Sequence, residues 1–519
     1  MAGALLVLGA IVSACGTASP IAALAPVPQQ DLTVAEGPDF QQADPPDAAD
    51  VGLAPTVRML EGLVWMDAGF HLRPLLATSW EFLPPRTWRF HLRRGVHFHD
   101  GRPFTADAVK WSVERWMRAG RLNYLALGPG AQVIIRDSYT VDIQTVVPDR
   151  RFVEALADQR RAIVAPGTYP GDGRTPASTP DGTGPFEFVR YFPQRELVLA
   201  GFKGYWGGAP RILRLTIRYE PDASARYEAL RQGTAAVAVD LGPQRAHDLQ
   251  SAGGLKLEQS AVAGADLLFF NLQRPEQHPL VQDPVLRRAV SLSIDQASIV
   301  DQAWSGLGAP LRSLTVPAFS GGTVPAVPGS DLDKARRLLD AEGWLPGPDG
   351  ILIRHGTPLR LKIVLGDLSE RTVTAGLLRT DLRRAGIAAE ISEPDQDTFF
   401  NHVLGSGDYD LAGLGFIGQR DANPLGMLSY LSPAPGGCNF CIFANLGPGF
   451  DERFARAVAA DDRTAPRQAA ALSKTAVVDE AAVIVLVGKP RLYGLSRAVQ
   501  GFVAEPRDPR YDQAWLAAA

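Results

Sequence analysis

Cys438 and Cys441 enclose an Asn-Phe dipeptide, a Cys-x-x-Cys spacing shared by zinc knuckles and redox-active thiol pairs. A structural zinc ion needs four ligands, and the chain has neither a second such pair nor a His-x-x-x-His pair. His97 and His99 fall on one side of an extended segment with His91 nearby, so imidazole coordination of a metal is the chemistry they offer. His278 and His402 stand alone and read as surface or locally bonded side chains. There is no GxSxG elbow, no HExxH and no GxxxxGK[ST] loop, and the glycines at 182, 184 and 204–208 do not open helices as phosphate sites do. An enzyme is not expected, and neither is a cofactor or a resident metal.

Cys15 offers different chemistry. Met1 to Ala14 is uncharged and apolar from Ala4 onward, and it falls short of the roughly 20 residues that a membrane span requires. It suits the apolar region of a secretory signal, although no Lys or Arg precedes it. Val12-Ser-Ala-Cys15 then resembles a bacterial lipobox, with small residues for a narrow peptidase cleft and a thiol to accept the lipid. Residues 1–15 are therefore read as a lipoprotein signal and lipobox, and 16–35 as a flexible tether holding the protein outside a membrane. Export into an oxidising compartment favours a local Cys438–Cys441 disulfide over free thiols or a metal or redox role.

The elements that must position any site are legible in outline. The 519 residues suffice for several domain-sized units, with 46% hydrophobic and 21% charged residues in a globular balance. A net charge of -4 without long Lys/Arg runs excludes a nucleic-acid-wrapping protein. Trp88 to Arg94 alternates as a half-buried strand, His99 to Pro103 is a turn, and Val109, Val113, Trp116 and Met117 form one face of a helix capped by Thr105. Further strands are expected at Leu197–Leu199, Leu213–Tyr219, Leu267–Phe270, Leu359–Leu365 and 388–392. Helices are expected after Asp222, after Asp283-Pro284, after Ser330 and over 370–385. Strand–helix–strand units of this length predict an α/β protein with a parallel or mixed sheet and more than one lobe.

Several blocks, in order, carry a resemblance. Glu61-Gly-Leu-Val-Trp65, Leu76 to Glu81 and Phe90 to Val109 open the series. Gly182-Thr-Gly-Pro-Phe186, Tyr205-Trp-Gly-Gly208 and Pro221 to Arg226 follow, then Phe270-Asn271, Val285 to Ala289 and Lys334 to Leu339 with Gly343-Trp344. The set resembles the large extracytoplasmic solute-binding proteins, family 5, that serve ABC importers of peptides, nickel and related solutes. The resemblance implies a two-lobed clamshell of three subdomains: 36–268 as the first lobe with 51–174 as its extra subdomain, 269–484 as the second, and 485–519 returning to the first. It implies hinge segments near 265–271 and 483–489, and a monomer that closes on its solute before meeting the permease and its ATPases.

Peptide-binding members carry a Trp-x-x-Asp loop whose carboxylate pairs with an α-amine. The matching segment here places Phe416 at the tryptophan, Gln419 at the aspartate, and Arg420 and Asp421 beyond it. Such a trio suits a solute of mixed or negative charge, because Arg donates to carboxylates in pairs. Asn271 is expected at the crossing between lobes, able to hydrogen-bond solute backbone or its own chain. Trp65, with Phe70, is expected as an apolar wall, though such aromatics are often core. The resemblance also makes the turn at His97 and His99 a folding feature. The expected function is capture of an oligopeptide or dipeptide-like solute, with a nickel or metal-chelate receptor as the alternative and a secreted hydrolase as the remote one.

Overall fold

The structure, a computed structural model, describes residues 26–37, 58–119, 127–128, 130–158, 161–168, 180–262, 264–315, 329–366, 368–416, 425–433, 445–460, 464–506 and 509–518. The chain enters as β1 (Asp31–Glu36) and then builds a separate antiparallel sheet from β2 (Ala77–Leu83), β3 (Thr87–Leu92), β4 (Gln132–Asp137) and β5 (Thr140–Gln144), in the order β2-β3-β5-β4. Trp88, Phe90 and Leu92 turn inward as their alternation requires. They meet Val109, Val113 and Trp116 of α1 (Ala106–Ala119) in one core.

The chain then returns to β1. β6 (Phe186–Phe192), β7 (Glu196–Gly201) and β8 (Arg214–Tyr219) meander until β8 lies parallel to β1. α2 (Ala223–Arg231), capped by the Asp222 carboxylate accepting from the Ala225 amide, carries the chain to β9 (Val237–Ala238), parallel on the other side of β1. α3 (Pro243–Gln250) leads on to β10 (Leu255–Gln259). Residues 31–35, expected as tether, are thus the middle of the first sheet, because Leu32 and Val34 bury against Leu215, Ile217 and Val237.

The second sheet begins with β11 (Gly264–Phe270), followed by α4 (Pro284–Ser293), α5 (Leu332–Ala341), β12 (Arg360–Leu365), α6 (Arg371–Arg384), β13 (Ala388–Ser392), β14 (Leu411–Phe416) and β15 (Val483–Lys489). Its order is β13-β12-β14-β11-β15. Every residue of β11 and β15 is buried. Along β11, Leu268 and Phe270 face one core while Ala265, Leu267 and Phe269 face another, so both sheet faces are covered. α4 starts as expected, with Asp283 capping and Pro284 in the first turn. For α5 the cap is Asp331 rather than Ser330, the longer carboxylate side chain accepting from the Lys334 amide at 2.8 Å.

β16 (Leu492–Ser496) re-enters the first sheet between β10 and β9. The chain therefore passes between sheets twice, between Gln259 and Gly264 and between Lys489 and Leu492. The expected hinges at 265–271 and 483–489 are instead the interior of the second sheet. The expected boundaries after 268 and 484 likewise cut through β11 and β15. Strands packed on both faces and paired along their length make a rigid floor, and among the described residues the two sheets are joined through the short links beside them. Ser260 and Arg491 tie these two links together, the Ser260 amide donating to the Arg491 carbonyl (3.0 Å) and the Arg491 amide to the Ser260 hydroxyl (2.8 Å). Among the described residues no helix is long and apolar enough to cross a membrane.

Candidate functional site between the lobes

The parallel strands β1, β8 and β9 end together at Glu36, Tyr219 and Ala238, and in open α/β sheets ligands gather at carboxyl ends of strands. A line of charges runs from there to the second sheet. Arg58 pairs with buried Glu36 at 3.3 Å. Arg226 occupies the space beside Gly37, where a Cβ would come within 2.9 Å of its guanidinium. It donates to the carbonyls of Glu220 (2.7 Å), Pro221 (2.9 Å) and Asp240 (2.6 Å). Arg491 grips the Asp240 carboxylate with two hydrogen bonds of 2.8 and 2.6 Å. Burial alone would raise the Asp240 carboxyl, but Arg491, Arg226 and Lys489 hold it below the ordinary range. Lys489 then pairs with buried Asp266 at 2.8 Å, beside the register shift that skips Leu486 of β15. This chain of alternating charge joins the first lobe to the second across both links.

Phe416 sits at the same end of the second sheet, opposite Ala265 and near Lys489. Its ring is buried between Phe269 (centroids 6.1 Å apart) and Tyr430 (4.6 Å). Gln419, Arg420 and Asp421 begin three positions after it and lie outside the described residues, as do Cys15, Cys438 and Cys441. Asn271 is not part of the interlobe region. It lies beyond the far end of β11, roughly 20 Å from Gly264 at the strand rise of about 3.3 Å per residue. Its amide donates to the carbonyls of Gly407 (2.9 Å) and Tyr409 (3.0 Å), and its oxygen accepts from the Gln273 amide (3.3 Å). The carboxamide is consumed by its own chain, which corrects the expectation that it meets solute.

His278 joins that same structural corner through Asp410 (2.9 Å) and the Gly407 carbonyl (2.8 Å). His99 is also structural, its ring bonded to the Gly184 carbonyl at 3.0 Å and set edge-on to Phe202. Burial lowers its pKa, whereas His97 is exposed. Among the described residues no group of three or more His, Cys, Asp or Glu is placed to hold a metal.

Trp65 half-buries its ring beneath the Arg510 guanidinium, 4.6 Å away, and lines a cavity of about 120 Å³. Phe70 instead belongs to the core of the antiparallel-sheet subdomain. Beside Trp65 lies Glu61, whose carboxylate accepts from the Tyr205 hydroxyl, the Trp206 indole and the Thr183 hydroxyl, each at 2.8 Å. Burial pushes its pKa to about 7 despite these donors. Gly182 and Gly184 flank Thr183 because a Cβ there would strike the Met59 backbone, at 2.3 and 2.7 Å. Sequence reasoning quoted the Glu61, Thr183 and Tyr205 segments as separate blocks; their convergence on one carboxyl was the signal it missed. Arg58, Asp240, Lys489, Arg491 and Arg510 belong to no motif and had no such signal.

Two sheets linked by two short crossings, with a charged seam between them, define a two-lobed binding protein. The chain belongs to the bacterial extracellular solute-binding proteins, family 5, whose middle-region profile matches residues 71–437. It is 28% identical over 344 residues to the glutathione-binding protein GsiB of Salmonella choleraesuis (strain SC-B67), a match covering 65% of this chain and 66% of that relative, just under two thirds of its length. It is 27% identical over 488 residues to the probable di/tripeptide-binding protein 5 of Pseudomonas aeruginosa (strain UCBPP-PA14), covering 86% and 88%. An ABC transporter substrate-binding protein from Sinorhizobium meliloti superposes with a TM-score of 0.76 at 26% identity, over 94% of this chain and all of that one. These relatives are solute-binding proteins rather than enzymes.

Proposed function

We propose that this protein captures a short peptide or peptide-like solute between its lobes and delivers it to an ABC permease. The observation that carries this reading is the charged seam from Glu36 and Arg58 through Asp240 and Arg491 to Lys489 and Asp266, which meets the second sheet at the end where Phe416 leads into the 417–424 segment. Charges of both signs at the junction between the lobes suit a zwitterion, and the kinship with glutathione- and di/tripeptide-binding proteins supports that class. Closure follows from differential contact: a solute touching both lobes favours the state in which both contacts exist. Gln419, Arg420 and Asp421 are proposed to meet the solute's charged ends, Cys15 to carry the lipid anchor, and Cys438–Cys441 to form a local disulfide.

Calorimetric titration with glutathione and pools of di- and tripeptides tests the reading, with nickel alone and nickel with histidine as separate arms. Saturable peptide binding is expected. Silence across the peptides, or binding only in the nickel arms, overturns the peptide assignment. Intact-mass measurement of the membrane fraction tests the anchor; a processed N-terminus without acyl chains refutes it.

A further inference from the structure

Two loops meet across the junction between the lobes. β12 runs parallel to β14, so the segment after Leu365 lies at the end of the second sheet that holds Phe416. β9 runs parallel to β1, so the segment after Ala238 lies at the Glu36 end of the first sheet. A Cβ placed on Gly242 would stand 3.6 Å from Glu370 Oε1 and 3.9 Å from the Ala223 Cβ. A carboxyl group of the second lobe thus reaches the amino ends of α2 and α3 in the first.

Three properties set this contact apart from ordinary packing. First, α2 and α3 differ at their amino ends. Asp222 caps α2 at 2.9 Å, whereas α3 starts at Gly242, which has no side chain, and at Pro243, which has no amide. No side chain caps α3, so the Gln244 and Arg245 amides point outward from the positive end of its dipole. Second, Glu370 holds a left-handed backbone, φ 49 and ψ 44, which glycine or asparagine would adopt at lower cost. The turn itself gives no reason for a glutamate; the position of its carboxyl group does. Third, that group is half-buried without compensation. Burial raises its pKa, and among the described residues no hydrogen bond or ion pair engages it. The nearby cations are directed elsewhere: Arg245 to Ser224 and Asp248, both at 3.1 Å, and Arg371 to the carbonyls of Gly366 (3.2 Å) and Pro394 (2.7 Å).

We propose that Glu370 is a latch between the lobes: as they close, its carboxylate takes the amides of Gln244 and Arg245 and supplies the cap that α3 lacks. The latch is made of protein alone, so it favours the closed form with or without solute, and its contribution adds to that of the solute. The inference rests on the closure reading above and adds to it a residue that sets the balance between open and closed forms. Its charge acts on a helix end of the opposite lobe, whereas Asp266 and Lys489 pair within one sheet.

The test varies charge from both sides of the contact in the full protein, with each variant checked for folding by its thermal transition. Glu370→Ala removes the carboxyl group, while Ala223→Lys and Ala223→Glu bring opposite charges to the helix ends it faces. Hydrogen exchange of the segment 243–250 is followed by mass spectrometry, without solute and with glutathione and di- and tripeptide pools. A carboxylate at a helix amino end shifts an equilibrium by about two- to fivefold. The Gln244 and Arg245 amides are therefore expected to exchange about two- to fivefold faster in Glu370→Ala than in the parent. Ala223→Lys is expected to slow them and Ala223→Glu to speed them. Equal exchange in parent and Glu370→Ala under both conditions overturns the latch. So do changes of the same sign in the two Ala223 variants, which would report side-chain bulk rather than charge. Small-angle scattering of the parent with the same solutes tests closure separately. A parent that compacts with none of them overturns the closure reading and the latch with it, whereas compaction with unchanged exchange overturns the latch alone.

Discussion

Glu61 is held between the Tyr205, Trp206 and Thr183 donors, and its folded-state pKa of about 7 stands above the ordinary 4.5. Below about pH 4.5 the carboxyl is neutral whether the chain is folded or not. Between there and about 7 only the folded chain keeps the proton, so stability falls as pH rises and levels off above 7. The full effect is on the order of 3 kcal/mol, from the size of the shift. Asp149 and Asp181 are pushed the same way by burial, each to about 6, so the comparison has to be made against Glu61→Gln. The urea midpoint of the parent is expected to drop relative to Glu61→Gln between pH 5 and 7.5; parallel pH profiles refute the assignment. Asn271 gives a second check at this scale. Asn271→Ala is expected to lose about 1–3 kcal/mol of stability, because the Gly407 and Tyr409 carbonyls lose their donor, with solute affinity unchanged. A variant of parental stability but weakened affinity refutes the structural role.

At the scale of elements, one buried ion pair joins β11 to β15 at the end of the second sheet next to the two crossings. Asp266 and Lys489 are almost fully enclosed at the end of the second sheet. Removing one partner leaves the other charge without compensation, so Asp266→Ala is expected to cost about 3–5 kcal/mol by chemical denaturation. Replacing both, as Asp266→Leu with Lys489→Met, is expected to recover much of that loss; equal losses in the single and double variants would rule out an uncompensated charge as the cause. The caps show what kind of element could be read without a structure. Asp283-Pro284 and Asp222 act within three residues of themselves, and both helices start where local chemistry says they must. β1 was invisible for the opposite reason, since its worth comes from partners such as Leu215 and Val237, distant in sequence.

For the whole molecule the expectation is closure. A solute at about a hundred times its dissociation constant should add about 2.7 kcal/mol to the stability of the form it binds. It should also reduce the radius of gyration measured by small-angle scattering. A ligand that raises the melting temperature without compaction would mean that binding occurs within one lobe, and the seam would then lose its role.

Elements built on local rules were open to reading from the chain: the alternation of Trp88, Phe90 and Leu92, the face of α1, the capped starts of α2 and α4, and the ordered blocks that mark the family. Phe416 and Trp65 were legible as aromatic positions, though not as one ring sealed between Phe269 and Tyr430 and another covered by Arg510. Only the folded chain decided which carboxyls are buried, where the links between lobes fall, and that Asn271 serves its own backbone. Each of these depends on residues far apart in the sequence, such as Asp240 with Arg491 and Asp266 with Lys489. Charge pairing over such separations leaves no periodic trace, because what it requires is proximity in space, and that exists only once both sheets have formed.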